Sequence, residues 1–395
     1  MFHHRLLAQN AHFRDVSGWE SPSWYAPAGI EPIIEEEHFG RQSFFPYWQS
    51  EHIACRENVA LFEMSFMSKF LVQGNDAGTF LNRLSTANVD GECDKITYTQ
   101  WLNENGFMEA DLTVIKMDSD KFIVVATDTM HNHVLAHMQK RLTSEQHVFI
   151  SDITGSYAQL NIQGPNSRKL LQCITSYNLS DFPFRSVAEI DIGHARVLCN
   201  RITYVGELGY ELFIPTEFAL HVYDTIIEIG KTFELKHAGL RALLSLRMEK
   251  GYRDYGHDMD NTDSLLECGL GFTCDFEKRG GFIGMDSVLT QQMKSKEEGG
   301  LKKRLVQIFL EDPEIILHHG EVVHRNGKML CEVRSSSYGH TLGGSVGLAM
   351  LESPEPINKS YIASGQWEVS AGNKLIPCKV SLAPLYDPKN RKVKM

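Results

Sequence analysis

A chain of 395 residues with a formal net charge of −11 and 42% hydrophobic content is too long for one simple core and reads as two or three lobes of ordinary globular composition. Its acidic balance argues against nucleic acid, where Lys and Arg carry non-specific binding. Apolar runs such as 121–127 and 346–351 fall far short of the roughly 20 residues a membrane helix needs. Eight scattered cysteines without a C-x-x-C pair argue against a zinc ribbon and read as reduced, mostly buried thiols.

The N-terminus, Met1-Phe2-His3-His4-Arg5, lacks the apolar region of a secretory signal, and Glu20 with Glu31–Glu37 makes the segment too acidic for a transit peptide. Residues 1–45 look irregular, with three Gly, three Pro and the run Glu35-Glu36-Glu37, and Trp19 and Trp24 suggest packing onto another surface. Phe66–Gln73 reads as a strand, and Asn75-Asp76-Ala77 caps a helix over 78–84. Runs at 97–102, 111–116 and 121–126 are strand-like, with Glu104-Asn105-Gly106 as a hairpin turn. Helices are expected over 130–142, from 168, over 217–233 and over 240–250. Strands are expected at 158–163, 195–203 and 210–215. Strands and helices mixed in this way favour an α+β fold. After the charged linker 294–300, short strands and Gly/Ser turns indicate a separate β-barrel. Leu301-Lys302-Lys303-Arg304 reads as a solvated turn, with small-anion binding as the alternative.

No G-x-G-x-x-G, Walker-type loop or H-E-x-x-H is present. Gly343–Gly347 fits G-x-S-x-G, but turn residues precede the serine and a strand-like run follows, so the match reads as chance. Asp111 heads an apolar strand, facing either solvent or a cleft. Tyr204–Glu211 sets Gly206 and Gly209 around Glu207-Leu208. It reads equally as a hairpin with exposed carboxylates or as a buried acid offered to an amidine-like edge with two N–H donors, such as a pterin. Arg247, Glu249, Arg253, Asp254, His257, Asp258 and Asp260 suggest ion pairs lacing a helix end. His131, His133 and His137 lack carboxylate or cysteine support, so no metal is expected.

Five segments taken in order, 61–70, 109–114, 162–165, 204–211 and 245–253, together with Leu266-Glu267-Cys268-Gly269-Leu270, resemble the aminomethyltransferase (glycine-cleavage T-protein) family. The tail Tyr386–Lys394 and Gly18-Trp19-Glu20 resemble its sarcosine dehydrogenase branch. The resemblance covers essentially the whole chain. It implies a T-protein-type α+β folate-binding body over 46–295, a small C-terminal β-barrel over 300–395, and in 1–45 a remnant of the segment that follows a flavin domain. It also implies tetrahydrofolate as cofactor and capture of a one-carbon unit from an oxidised N-methyl amine as 5,10-methylenetetrahydrofolate. FAD would enter only with a separate or missing flavin-binding half, and a truncated longer dehydrogenase is the favoured reading of its absence.

By the same resemblance Asp111 falls on the catalytic carboxylate, with Leu112 and Thr113 lining the folate site. Glu211 falls on the pterin-binding carboxylate, with Tyr204, Leu212 and Phe213 alongside. Phe272 sits where dimethylglycine dehydrogenase places an aromatic residue. Leu243 departs from the T-proteins, which carry arginine there. The implied partners are folate, a small-molecule substrate and possibly a flavin subunit, and the implied location is the mitochondrial matrix. Two alternatives stand beside this reading: a non-catalytic regulator like the pyruvate dehydrogenase phosphatase regulatory subunit, and a stand-alone aminomethyltransferase.

Overall fold

The computed structural model describes residues 1–34 and 36–395; Glu35, part of the expected acidic run, lies outside the described residues. The expected irregular N-terminus is corrected. His3–Leu7 is helical, and Ala11–Val16 pairs antiparallel with Trp19–Tyr25. Ser17 and Gly18 both adopt positive φ (51° and 86°), the requirement of a two-residue hairpin turn whose twist matches the flanking strands. Pro22, which argues against a regular strand, sits beside a register shift where the ladder is already interrupted. Of the two tryptophans expected to pack, Trp24 does, stacked on Phe44 with ring centroids 5.0 Å apart, whereas Trp19 beside the hairpin turn is exposed. The hairpin is anchored through Glu51, whose buried carboxylate accepts from the Tyr25 and Gly239 amides at 2.7 and 2.9 Å.

The body carries two sheets. One runs in the order Val187–Ile192, Ala195–Asn200, Gly209–Pro215, Tyr157–Gln163, Ala60–Glu63 and Lys236–His237. The other runs Lys95–Leu102, Met108–Asp118, Lys121–Ala126, Ser68–Gln73 and Phe149–Asp152. Alternation sends successive side chains to opposite faces, so each sheet buries two different sets. The outer face of the first packs Leu160, Ile162 and Leu212 against helices Ser167–Gln172 and Ala219–Gly230. The outer face of the second packs Phe70, Trp101 and Leu112 against Ala77–Leu84 and His131–Arg141. The inner faces meet through Ile96, Ile115, Ile123, Leu198 and Phe213. This α+β body is followed by a closed six-stranded barrel, ordered Lys303–Leu310, Gly344–Glu352, Lys328–Gly339, Val322–Arg325, Trp367–Ala371 and Lys374–Ser381. Trp367–Ala371 was not anticipated, although Trp367, Val369 and Ala371 alternate inward. No described helix is long and apolar enough to cross a membrane.

Several motifs settle into structural roles. Ser345 lies inside a strand with its hydroxyl on the Leu317 amide and Ile315 carbonyl, which leaves no nucleophile elbow. Lys302, Lys303 and Arg304 are engaged by Glu298, Asp263 and the Ile357 carbonyl. Arg247 laces a helix end as expected, through Asp258 at 2.6 Å, and both side chains are buried. Gly206 (φ 82°) gives the tight turn expected of it, and what approaches it closely is the Lys250 side chain.

Body and barrel are joined by a buried ionic cluster. Arg56, on helix Phe45–Glu57, donates to Glu207 at 3.0 Å and to Glu249 at 2.9 Å, and stacks 4.0 Å over Tyr386 of the C-terminal tail. Glu249 in turn accepts from the Thr341 and Leu342 amides of the barrel at 2.8 and 3.2 Å. Burial alone would raise the Glu249 pKa, but the His52 ring and Arg56 guanidinium outweigh it and bring it from its ordinary 4.5 down to about 2. Glu249→Gln leaves Arg56 with one of its two carboxylates, and we expect a loss of about 3–5 kcal/mol at neutral pH, the usual cost of breaking a buried pair. A depressed carboxyl stabilises the fold fully above its unfolded pKa. The difference from wild type in urea titrations should therefore be constant above pH 4.5 and shrink towards pH 2. A pH-independent difference rules out the ionic role.

Candidate functional site

Between the inner faces, beyond their apolar contact, the two sheets turn polar and border a cleft of about 1680 Å³. From the first sheet, Gln159, Asn161 and Glu211 point inward; from the second come Tyr98, Asp111 and Thr113. The N-terminal hairpin, the barrel and the segment after it close the remaining sides through residues such as Arg14, Val16, Tyr338 and Pro384.

Asp111 is partly open to the cleft yet lies deep below the protein surface. Desolvation lifts its pKa from 3.8 to about 6, against the hydrogen bonds of Gln100 and Tyr98 and the Arg253 charge. Gln100 Nε2 donates to Asp111 Oδ1 at 2.8 Å. The Thr273 hydroxyl donates to Gln100 Oε1, which fixes the amide with its N–H side towards the carboxylate. Thr273 closes the short 3-10 turn Gly271–Thr273, and that turn holds Phe272 out at the cleft mouth with 70% of its surface exposed.

Glu211 accepts from Gln159 Nε2 and Asn161 Nδ2, each at 3.3 Å. Desolvation pushes its pKa to about 7, opposed by the nearby Lys69 charge and the Asn161 bond. Lys69 is itself buried and pushed down to about 8. Its ammonium donates to the Met67 carbonyl at 2.7 Å and lies 5.3 Å from the Phe213 ring. Gln159 Oε1 is buried with no partner, an acceptor left facing the polar end of the sheet interface. Buried acceptors of this kind are normally satisfied, and together with the Glu211 carboxylate this one makes an acceptor-rich patch that can take N–H donors.

The expected site residues divide by strand parity. Asp111, Thr113, Tyr204, Glu211 and Phe272 all border the cleft, and Tyr204 is held by its hydroxyl on the Arg253 carbonyl at 2.8 Å. Leu112 touches the cleft edge, but its side chain belongs to the outer core. Leu212 faces away altogether and packs with Leu160 and Ile162. Phe213 points inward but lies beneath the site, in the apolar contact between the sheets. The reading of Glu207 as an exposed hairpin carboxylate is also corrected. It is buried on Arg56 and Tyr386.

Residues 2–278 match the GCVT N-terminal domain and residues 303–387 the glycine cleavage T-protein C-terminal barrel domain. The chain belongs to the GCVT family. Within it, the chain is 37% identical to 4-methylaminobutanoate oxidase (formaldehyde-forming) of Paenarthrobacter nicotinovorans, over 99% of this chain and 46% of that protein. It is 28% identical to the mitochondrial sarcosine dehydrogenase of Mus musculus, again over 99% of this chain and 46% of that one. The chain thus spans about half the length of these relatives. The glycine cleavage system aminomethyltransferase T of Bartonella henselae superposes with a TM-score of 0.81 at 19% identity, covering 98% of this chain and 97% of that one, which shows the fold.

Four residues that shape this GCVT cleft went unpredicted: Tyr98, Gln100, Gln159 and Asn161. A signal for two of them was present. The strand Tyr157–Gln163 sets Gln159, Asn161 and Gln163 alternately with Ala158, Leu160 and Ile162, and all six are buried. A polar face on a strand that is buried on both sides calls for a ligand or a network. For Asp111, replacing Gln100 with Leu removes a donor to the charged form. Carboxyl NMR titration should then place the Asp111 midpoint above its value of about 6; an unchanged midpoint excludes Gln100 as its tuning group.

Proposed function

We propose that this chain binds tetrahydrofolate between its two sheets and captures there a one-carbon unit from an oxidised N-methyl amine, yielding 5,10-methylenetetrahydrofolate. The observation that carries this reading is the pair of desolvated carboxylates on facing sheets, Glu211 and Asp111. The residues present fit the ligand. A pterin edge offers adjacent N–H donors, and Glu211 with the unpartnered Gln159 Oε1 supplies adjacent acceptors. Bound tetrahydrofolate supplies the nitrogens that take up the carbon unit.

The chain's own residues then divide the work. Glu211 orients the ring, and Met64, Phe66 and Leu240 along the cleft exclude water from it. Asp111 holds a proton or stabilises a cation beside it, with a pKa near 6 that leaves both forms accessible around neutrality. Leu243 borders the cleft as an apolar side chain, so no arginine from that position meets the ligand. The tail that marked the sarcosine dehydrogenase branch, Tyr386–Lys394, lies along the same cleft through Pro388, Asn390 and Lys394. The carbon donor belongs to the N-methyl amino acid class, sarcosine-like or the longer 4-methylamino acid of the Paenarthrobacter relative. Oxidation of the N-methyl group is the task of a flavin-binding half or subunit, an assignment that rests on the resemblance. A matrix location rests on the mitochondrial relatives, sarcosine and dimethylglycine dehydrogenases among them.

Calorimetry under anaerobic reducing conditions should show one-to-one binding of tetrahydrofolate. Glu211→Ala should weaken it about 10- to 100-fold, the worth of a charged hydrogen-bond pair. No detectable binding by the wild type shifts the reading to the regulatory alternative. Ionised Glu211 is the form that accepts two donors, so affinity should rise as pH increases through about 7, and Glu211→Gln should flatten that rise. Asp111→Asn should keep affinity within a few-fold while one-carbon capture, reconstituted with an oxidising partner, falls about 10²–10⁴-fold. Unchanged turnover removes Asp111 from the chemistry.

A further inference from the structure

A second cluster of ionisable groups lies outside the cleft. Glu109 Oε2 sits 3.0 Å from His133 Nε2, and with His137 the three offer ligand atoms all within 4.8 Å of one another. The expectation of no carboxylate support for these histidines came from reading helix His131–Arg141 by itself. His131 is already engaged by Asp152 and Ser68, whereas His133 and His137, four residues apart on one helical face, converge on a residue from another element.

That convergence depends on a β-bulge. In the pairing of Lys95–Leu102 with Met108–Asp118, Trp101 opposes Ala110 and Leu102 opposes Met108, so Glu109 is skipped. A bulge re-aims the side chain it carries, and here the carboxylate is directed at the helix covering the outer face. Asn103 Nδ2 approaches its other oxygen at 3.4 Å. His137 is held by stacking on Trp101, with ring centroids 5.5 Å apart and planes 21° apart. Its Nε2 is buried and has no hydrogen-bond partner, in a residue only 8% exposed. Such an orphaned imidazole nitrogen is costly unless something binds it.

We propose that Glu109, His133 and His137 form a binding site for a zinc-class divalent cation, which clamps helix His131–Arg141 to the bulged strand two residues before Asp111. Two imidazoles and one carboxylate are a donor set that suits zinc, with a fourth position left to water. Tetrahedral ligation brings ligand atoms to about 3.3 Å, so closing the widest pair needs a shift of at most about 1.5 Å. His133 and Glu109 are accessible enough to make it, with side chains 42% and 17% exposed.

The test is titration of the full chain with Zn²⁺ by calorimetry, repeated with Co²⁺ for its absorption spectrum. One equivalent should bind, raise the melting temperature, and give tetrahedral d–d bands without thiolate charge-transfer. Glu109→Gln and His133→Asn, both at accessible positions, should each weaken binding at least tenfold while keeping the wild-type circular dichroism. Wild-type affinity in both variants, a thiolate band from the free cysteines, or no saturable binding overturns the site.

Discussion

The Arg56 guanidinium is the contact on which the rest of the molecule depends. It is nearly fully buried, and a buried cation must be matched by charge and hydrogen bonds or it unfolds its surroundings. Its partners come from four separate places: Val205 and Glu207 in the loop before strand Gly209–Pro215, Leu246 and Glu249 on one helix, Thr341 in the barrel, and Tyr386 in the tail. Satisfying one side chain therefore fixes the barrel and tail against the body. The cleft exists only because those pieces meet, since its walls are drawn from all of them.

The same logic of desolvation shapes the cleft itself. Each sheet is covered by helices outside and by the other sheet inside, so side chains on both faces are withdrawn from water. At one end the inner faces are apolar and lock together. At the other, Glu211, Gln159 and Asn161 on the first sheet face Lys69, Asp111, Tyr98 and Thr113 on the second. Carboxylates held there are shifted towards neutrality because burial penalises their charge. Such tuning suits groups that exchange protons or wait for donors.

Much of this is legible in the sequence. The runs around 66–73, 121–126 and 158–163 declare strands by apolar content and alternation, and Asn105-Gly106 declares a hairpin that the structure contains. The N-terminal hairpin was not recognised, because Trp19, Pro22 and Trp24 obscure the alternation and Ser17-Gly18 is a weak turn signal. Leu212 and Phe213 were grouped with Glu211 through resemblance, although alternation alone separates Leu212 from its neighbours.

What the sequence by itself determined is the local grammar: which segments are strands or helices, their order, the change of character near residue 300, and the family motifs centred on Asp111 and Glu211. These depend on side-chain period and backbone propensity within a few residues. Tertiary structure decided which polar residues share a space. Gln159 and Asn161 reach Glu211 across 50 or so residues, Arg56 reaches Glu249 across 193, and Glu109 meets His133 and His137 through a bulge. No local pattern specifies those meetings. They follow from the packing of whole faces, where the need to satisfy buried charge selects one arrangement of the chain.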